Sequence, residues 1–207
     1  MKIVYKKIFY AMKLFTFCCG AFLLGLGVAY FYKSEFGSDA LSSFVQGLNC
    51  QIAISQGIWN AIIAYVMVLM ALLLDKKQVG LGTIIHPFIC SYAINIGISL
   101  ISSPNSKIIA IKYLLLGIFL IALSIAVTVK LNCGKSPYDA VIFAFMKRFN
   151  LKYNVIRWVM DGSMLITGVL LGGTFGVGTI LILLVLGNLV MIFMKLIDDF
   201  INKAAID

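Results

Sequence analysis

Arg157 and Asp161 are charged residues inside a stretch that is otherwise apolar enough to cross a membrane. If a helix starts near Tyr153, Asp161 lies about eight residues in, roughly 12 Å deep at about 1.5 Å per residue. A carboxylate at that depth costs about 2.5 kcal/mol or more unless it is paired or faces water. Because Arg157 lies one helical turn away, it can neutralise this charge. The spacing predicts either a structural ion pair or a site for an ion or polar solute.

Three further polar residues in apolar stretches are candidates for the same site. His86 is the single histidine and precedes Pro87, which places it in a first helical turn, where a structural role and a proton relay both remain open. Gln56 and Asn60 either contact the solute or form ordinary hydrogen bonds between helices. The candidate substrate or ion site therefore comprises Asp161, Arg157, His86, Asn60 and Gln56.

Helix starts form a second group of candidates. Two Gly-x-Gly-Thr segments, at 80–83 and 176–179, place backbone amides at helix N-termini, where an anion can bind or where a tight turn approaches its neighbour. Small residues followed by an aspartate, at 38–39 and 136–139, are expected to cap short helices, with ion or substrate contact as the alternative. These candidate helix-start and turn residues are Ser38, Asp39, Ser136, Asp139, Gly80, Gly82, Thr83, Gly176, Gly178 and Thr179.

Enzyme motifs are missing from the sequence. It contains no nucleophile constellation, zinc-ligand spacing, Walker motif or dinucleotide fingerprint, and the Gly-x-Gly-Thr segments lack the further glycine of a nucleotide loop. The five cysteines are scattered and odd in number, which fits neither a disulfide framework nor a metal site. We therefore expect no enzyme, no cofactor and no metal centre.

Composition identifies the elements that must position these residues. The chain of 207 residues is 62% hydrophobic and only 12% charged, whereas a soluble domain carries about 25% charged residues. Residues 1–207 are therefore predicted to form a single all-helical membrane domain. The basic N-terminus precedes an apolar run that is too long for a signal peptide and lacks a cleavage site, so we expect a retained first helix. Six spans are predicted, at about 11–32, 57–74, 83–101, 110–129, 153–171 and 177–197.

Lysine and arginine predict the orientation, because cytoplasmic loops retain them. With the N-terminus inside, three basic residues lie outside, namely Lys33, Lys107 and Lys112. The other fourteen of the seventeen lie inside: Lys2, Lys6, Lys7, Lys13, Lys76, Lys77, Lys130, Lys135, Lys147, Arg148, Lys152, Arg157, Lys195 and Lys203. Both termini are therefore expected in the cytoplasm. The net charge of +9 is read as a topology signal, and no nucleic-acid partner is expected.

An internal repeat organises the chain. Landmarks recur in the same order at offsets of 96 to 100 residues: 22–29 with 119–126, Asp39 with Asp139, Trp59 with Trp158, and 79–83 with 175–179. Residues 10–101 are the first repeat and 108–197 the second. Because three spans per repeat is an odd number, the second repeat must enter the membrane from the opposite side. The predicted fold is six transmembrane helices in two inverted three-helix repeats, each with a short non-spanning helix, at 40–48 and 140–150.

These motifs carry a family resemblance. The duplicated pattern of a small-residue first span, a Gly-x-Ser/Pro-x-Asp helix start and a Gly-Leu/Val-Gly-Thr turn resembles the bacterial YczE/YitT-like integral membrane proteins over about residues 10–197. One departure is that Gly37-Ser38-Asp39 is shorter than the form at 134–139. The resemblance implies a fold and a membrane location and names no substrate.

The pattern as a whole favours a transporter-like protein of the bacterial cytoplasmic (inner) membrane that handles a small solute. A second interpretation is the substrate-binding subunit of an energy-coupling-factor vitamin transporter, with Ala21, Gly25 and Ala29 as the surface that packs against its partner. A third is a membrane scaffold or regulator that does not transport. The expected partners are the lipid bilayer and the solute, and a homo-oligomer remains open.

Overall fold

The fold consists of helices and connecting loops. The computed structural model describes residues 2–131 and 133–204, with side chains for 8–131, 133–153 and 155–200; within this part there is no strand. The side chains of Lys2, Lys6, Lys7 and Lys203, used above for orientation, lie outside the described residues, as do residues Met1 and 205–207. The helices are α1 Lys2–Lys33, α2 Ala40–Gln51, α3 Gln56–Leu74, α4 Leu81–Leu100, α5 Lys107–Leu131, α6 Pro137–Phe149, α7 Tyr153–Leu170 and α8 Val177–Ala204. A 3₁₀ turn at Lys76–Gln78 joins α3 to α4.

Five helices in the described part are long and apolar enough to cross a membrane. They are Ile8–Lys33, Gln56–Leu74, Leu81–Leu100, Lys107–Leu131 and Val177–Phe200. The predicted fifth span coincides with α7, which is 18 residues long but is not among the five. Polar residues, including Arg157 and Asp161, lower the hydropathy of α7. The chain is thus a membrane-type helical protein with five candidate spans, rather than the six expected.

The two short helices predicted at 40–48 and 140–150 are present, but each is longer than the sequence indicated. Helix α2 has 12 residues and α6 has 13, about 18–20 Å each, so neither crosses a bilayer core of about 30 Å. Each packs against a long helix of the other predicted repeat, α2 against α7 and α6 against α3. The α6–α3 contact is apolar and is formed by Met67, Ala71, Ala140 and Val141.

Helix α1 lies against both α4 and α5. A Cβ added to Gly25 would collide with Cys90 O and lie 2.6 Å from Ala93 Cβ, so the approach to α4 requires glycine there. Ala21 and Ala29 are fully buried. The small residues predicted as a docking surface for a partner subunit are therefore already covered by this chain.

The loop between α5 and α6 is held against the start of α4. Gly82 N donates a hydrogen bond to Cys133 O (3.1 Å), and Lys135 N donates one to Thr83 Oγ1 (3.1 Å). The same hydroxyl accepts a hydrogen bond from Gly80 N at 3.1 Å. We call this contact between 133–135 and 80–83 the first clasp.

The loop between α1 and α2 is held in the same way against the start of α8. Gly178 N donates to Phe36 O (2.7 Å), and Ser38 N donates to Thr179 Oγ1 (3.1 Å). Gly176 N also donates to Thr179 Oγ1, at 3.2 Å. We call this contact between 36–38 and 176–179 the second clasp. Each hydrogen bond of the first clasp thus has a counterpart in the second.

Each clasp depends on a glycine with positive φ. Gly134 has φ 137° and Gly37 has φ 109°, and side chains rarely adopt this region. A Cβ on Gly134 would lie 2.8 Å from Thr83 Oγ1, and one on Gly37 would lie 2.5 Å from Thr179 Oγ1. The Gly-x-Gly-Thr segments are therefore contact surfaces for the loops before α2 and α6 as well as helix starts.

Candidate functional site

Helix α7 presents a polar face formed by Tyr153, Arg157 and Asp161. Residues four apart lie above one another on a helix, so all three share one side. Arg157 Nε lies 3.4 Å from Asp161 Oδ2, and Arg157 Nη1 donates a hydrogen bond to Tyr153 Oη at 2.8 Å. The ion pair expected from the spacing is therefore present.

The first turn of α6 completes the site from a second helix. Ser136 is the N-cap, its Oγ accepts a hydrogen bond from Asp139 N (3.1 Å), and Pro137 occupies the first helical turn. This start brings Tyr138 and Asp139 to the polar face of α7.

Four contacts join the two helices or fix the carboxylate of α6. Tyr138 Oη donates a hydrogen bond to Asp161 Oδ1, and Tyr153 Oη donates one to Asp139 Oδ1 at 3.1 Å. Arg157 Nη1 lies 3.9 Å from the same oxygen, whereas Asp139 Oδ2 bonds Ser136 Oγ at 2.9 Å. We call Tyr138, Asp139, Tyr153, Arg157 and Asp161 the polar cluster.

The polar cluster is accessible and does not balance its charges internally. Two carboxylates share one guanidinium, and the exposed side-chain fractions are 34% for Arg157, 18% for Asp161 and 20% for Asp139. A structural pair sealed in the interior would have no such exposure. Hydrogen-bond donors and acceptors stand side by side with a surplus carboxylate, which suits a small cation, a proton or a polar solute.

Asp39, the counterpart of Asp139 in the first repeat, has an incomplete set of partners. It is the N-cap of α2, and its Oδ2 accepts a hydrogen bond from Ser42 N at 3.3 Å. Its Oδ1 and the Oγ of Ser43 are both buried without a hydrogen-bond partner among the described residues. Because α2 packs on α7, these two atoms are available to hydrogen-bond a ligand on the same helix that carries the polar cluster. Ser38, predicted as a cap, bonds Thr174 Oγ1 instead (3.0 Å).

The other predicted site residues lie elsewhere. His86 is buried on α4, where its ring packs edge-on against Phe17 of α1 at 6.0 Å between centroids. Asn60 Nδ2 donates a hydrogen bond to Ser91 Oγ (3.1 Å), which joins α3 to α4. Gln56 begins α3, and its Oε1 is buried and unpartnered. No hydrogen bond in the described part connects these three residues to the polar cluster, so a single site of all five is not observed.

Two tyrosines of the cluster were missed by sequence reasoning. Tyr153 had a usable signal, because positions 153, 157 and 161 are spaced by four on one helix. Tyr138 had none, since its hydrogen bond to Asp161 depends on how α6 docks on α7.

Asp75, just after α3, forms polar contacts that include an ion pair with α6. Asp75 Oδ2 accepts hydrogen bonds from Gln78 Nε2 (2.8 Å) and Lys147 Nζ (2.9 Å). The hydrogen bond from Gln78 and that from Lys147 lower the pKa of Asp75 to about 2. This contact connects the last turn of α6 to the end of α3.

Comparisons with known proteins give a family without a known role. The model of DUF6198, a family of unknown function, matches residues 11–195. An uncharacterised protein of Haemophilus influenzae is 27% identical over 84% of this chain and 80% of its own length. The uncharacterised protein YyaS of Bacillus subtilis is 22% identical over 93% of this chain and 98% of its own length. No solved structure matches. These matches do not support the narrower YczE/YitT-like resemblance.

Proposed function

Since the chain belongs to DUF6198, whose function is unknown, we propose a role from its own geometry: a transporter-like protein that binds a small polar solute at the polar cluster. The protein would lie in the bacterial cytoplasmic membrane with both termini inside, as the distribution of lysine and arginine favours. No catalytic reaction is part of the proposal.

One observation carries this proposal: α7 bears a partly exposed ion pair whose partners come from a second helix. Charged residues at membrane depth are costly and generally mark pathways for ions or substrates. Arg157 and Asp161 have exposed side-chain fractions of 34% and 18%, and partial exposure is what contact with a solute requires. The surplus carboxylate, Asp139 or Asp161, provides the charge that a cation or proton would neutralise.

The doubled architecture supports transport over a purely structural role. The two clasps, together with the reciprocal packing of α2 on α7 and α6 on α3, support two equivalent halves of three spans each. We place these halves in inverted orientation, with α7 as the sixth span. Inverted repeats in secondary transporters hold their binding site between the halves, near the bilayer midplane. The polar cluster fits this arrangement, because α6 and α7 of one half meet α3 and α2 of the other.

The two alternatives have distinct consequences. A substrate-binding subunit of an energy-coupling-factor transporter would copurify with an ATPase module, yet its expected docking residues Ala21 and Ala29 are buried in this chain. A scaffold or regulator would bind a partner protein and show no response to small solutes. Ligand-dependent flux by the protein alone separates the transporter from both.

A thermal unfolding screen of the purified protein against metabolites and ions tests the proposal. A ligand at 100 times its Kd stabilises the folded state by about 2.7 kcal/mol, which raises the midpoint by several degrees. Wild type should respond to a specific solute and Asp161→Asn should not. Asp198→Asn is the matched control. Asp198 is also an ion-paired aspartate, 2.5 Å from Lys130 Nζ, but it lies on α8 and outside the polar cluster. A full response in a stable Asp161→Asn protein would refute the site.

A further inference from the structure

A polar cavity lies beside the first clasp, and its lining shares no residue with the polar cluster. Its volume is about 330 Å³, and its lining includes Tyr10, Lys77, Gln78, Gly80, Gly134 and Lys135. It is a half-open cleft bordered by α1, the 3₁₀ turn after α3, the start of α4 and the loop between α5 and α6. Pockets for small ligands begin at about 300 Å³, so the cavity can hold a group of headgroup size.

Among the described residues, the lining carries two ammonium groups and no carboxylate. Lys135 Nζ bonds the neutral amide oxygen of Gln78 and lies 3.7 Å from the ring centroid of Phe143. Neither Lys77 nor Lys135 forms an ion pair among the described residues. The cavity therefore presents two ammonium groups that no carboxylate of the described residues contacts in an ion pair.

The neighbouring carboxylates form hydrogen bonds with other groups. Asp75 bonds Lys147 and Gln78, and Asp139 bonds Ser136 and Tyr153. Burial lowers the pKa of Lys135 despite the presence of Asp139 and Asp75, as expected for an ammonium group that lacks a close anionic partner.

The start of α4 adds to the positive potential. Gly80 is the N-cap of this 20-residue helix and lines the cavity without a side chain. The partial positive charge of a helix N-terminus favours an anion, and the phenol of Tyr10 offers a further hydrogen-bond donor.

We propose that this cavity binds a phosphate-type anion, through Lys77 and Lys135, at the lysine-rich face of the membrane. Two sources share this chemistry: the headgroup of an anionic phospholipid and free phosphate. Basic pockets between transmembrane helices on the cytoplasmic side bind phospholipid headgroups by the same electrostatics.

Thermal unfolding in a neutral detergent tests the proposal with two probes. The first is short-chain phosphatidylglycerol against phosphatidylcholine of equal chain length, and the second is sodium phosphate against sodium chloride at equal ionic strength. At least one phosphate probe should raise the wild-type midpoint by about 3 °C or more. The rise should disappear in Lys77→Gln/Lys135→Gln and persist in Lys107→Gln/Lys112→Gln, which removes two exposed lysines near the start of α5.

The outcomes separate the sources. A response to phosphatidylglycerol alone identifies a lipid headgroup, and a response to sodium phosphate identifies a free anion. Lys77→Gln alone, which leaves the contacts of Lys135 intact, should weaken the response if the double variant does not fold. The proposal is overturned if neither phosphate probe raises the wild-type midpoint, or if the Lys77→Gln/Lys135→Gln protein responds fully. It is also overturned if the Lys107→Gln/Lys112→Gln control loses as much of the response as the Lys77→Gln/Lys135→Gln protein.

Discussion

The phenol of Tyr138 donates a hydrogen bond to the carboxylate of Asp161, and this contact joins the first turn of α6 to the polar face of α7. Asp161 therefore has two partners, because Arg157 Nε lies 3.4 Å from its other oxygen. Arg157 in turn lies 3.9 Å from Asp139. The ion pair that the sequence predicted is thus part of a cluster in which each charge has more than one partner.

A double-mutant cycle on Arg157 and Asp161 separates structure from function. Asp161→Asn should cost only about 1 kcal/mol, because Arg157 keeps Asp139 and Tyr153 as partners. Arg157→Gln should cost about 2 kcal/mol or more, since it leaves two carboxylates without a cation. Adding Asp161→Asn to Arg157→Gln should recover part of that loss. The measurement is the unfolding midpoint of each detergent-purified variant.

A purely structural pair gives a different pattern. Asp161→Asn would then destabilise the protein as much as Arg157→Gln, and the double variant would recover most of the loss. Such a result would remove the reason to assign a solute to this site.

The clasps predict matched effects of substitutions at Gly37 and Gly134. Changing either to Ala forces a side chain into positive φ and into contact with a threonine hydroxyl, so each should lower stability by about 1–3 kcal/mol. Gly187→Ala on α8 is the control, because a Cβ there meets nothing within 4 Å and alanine favours a helix by about 1 kcal/mol. Equal midpoints for Gly37→Ala, Gly134→Ala and wild type would show that the clasps contribute nothing.

The hydrogen bonds of Asp75 predict a dependence on acid pH. The folded protein has a pKa of about 2 at this carboxyl, below the value of about 3.9 for an unfolded chain. The stabilisation is therefore fully present above about pH 4 and is lost as the pH falls towards 2. Unfolding midpoints of wild type and Asp75→Asn should differ at pH 5 and converge near pH 2. A constant difference over this range would exclude the ionised carboxylate as its source.

The sequence indicated the short helices, because their starts are encoded locally. Ser136, Pro137 and Asp139 stand in the order that a helix N-terminus requires, and Asp39 caps α2 through Ser42 N. The predicted bounds 40–48 and 140–150 differ by a few residues from Ala40–Gln51 and Pro137–Phe149. The ends of α2 and α6 are harder to predict, because these helices pack against α7 and α3, and such packing is not encoded in the neighbouring residues.

Long-range contacts account for what the sequence did not reveal. The repeat identified 80–83 and 176–179 as equivalent, but their hydrogen bonds to the loops before α6 and α2 join residues more than 50 positions apart. His86 was grouped with Asp161 as a polar residue in an apolar stretch near the cytoplasmic end of a span, whereas its ring packs on Phe17. Depth places a residue along the membrane normal and leaves its neighbours undetermined.

The proposed inverted topology predicts which loops face the cytoplasm. Single cysteines near Lys76 and Lys147 should be protected from an impermeant reagent in intact cells, and those near Asn49 and Asn105 should react. The reason is that this topology places fourteen of the seventeen basic residues on the cytoplasmic side. The background protein must lack Cys18, Cys19, Cys50, Cys90 and Cys133. Strong labelling at position 147 from outside would refute the inversion.

The most direct measurement is flux of the solute found in the screen into liposomes that contain only this protein. Wild type and the control Asp198→Asn should transport the solute, and Asp161→Asn, folded to the same extent, should bring flux down to that of empty liposomes. That result would place transport in the chain itself and its site at the polar cluster. Equal flux through wild type and Asp161→Asn, or no flux through a wild-type protein that binds the solute, would contradict the account.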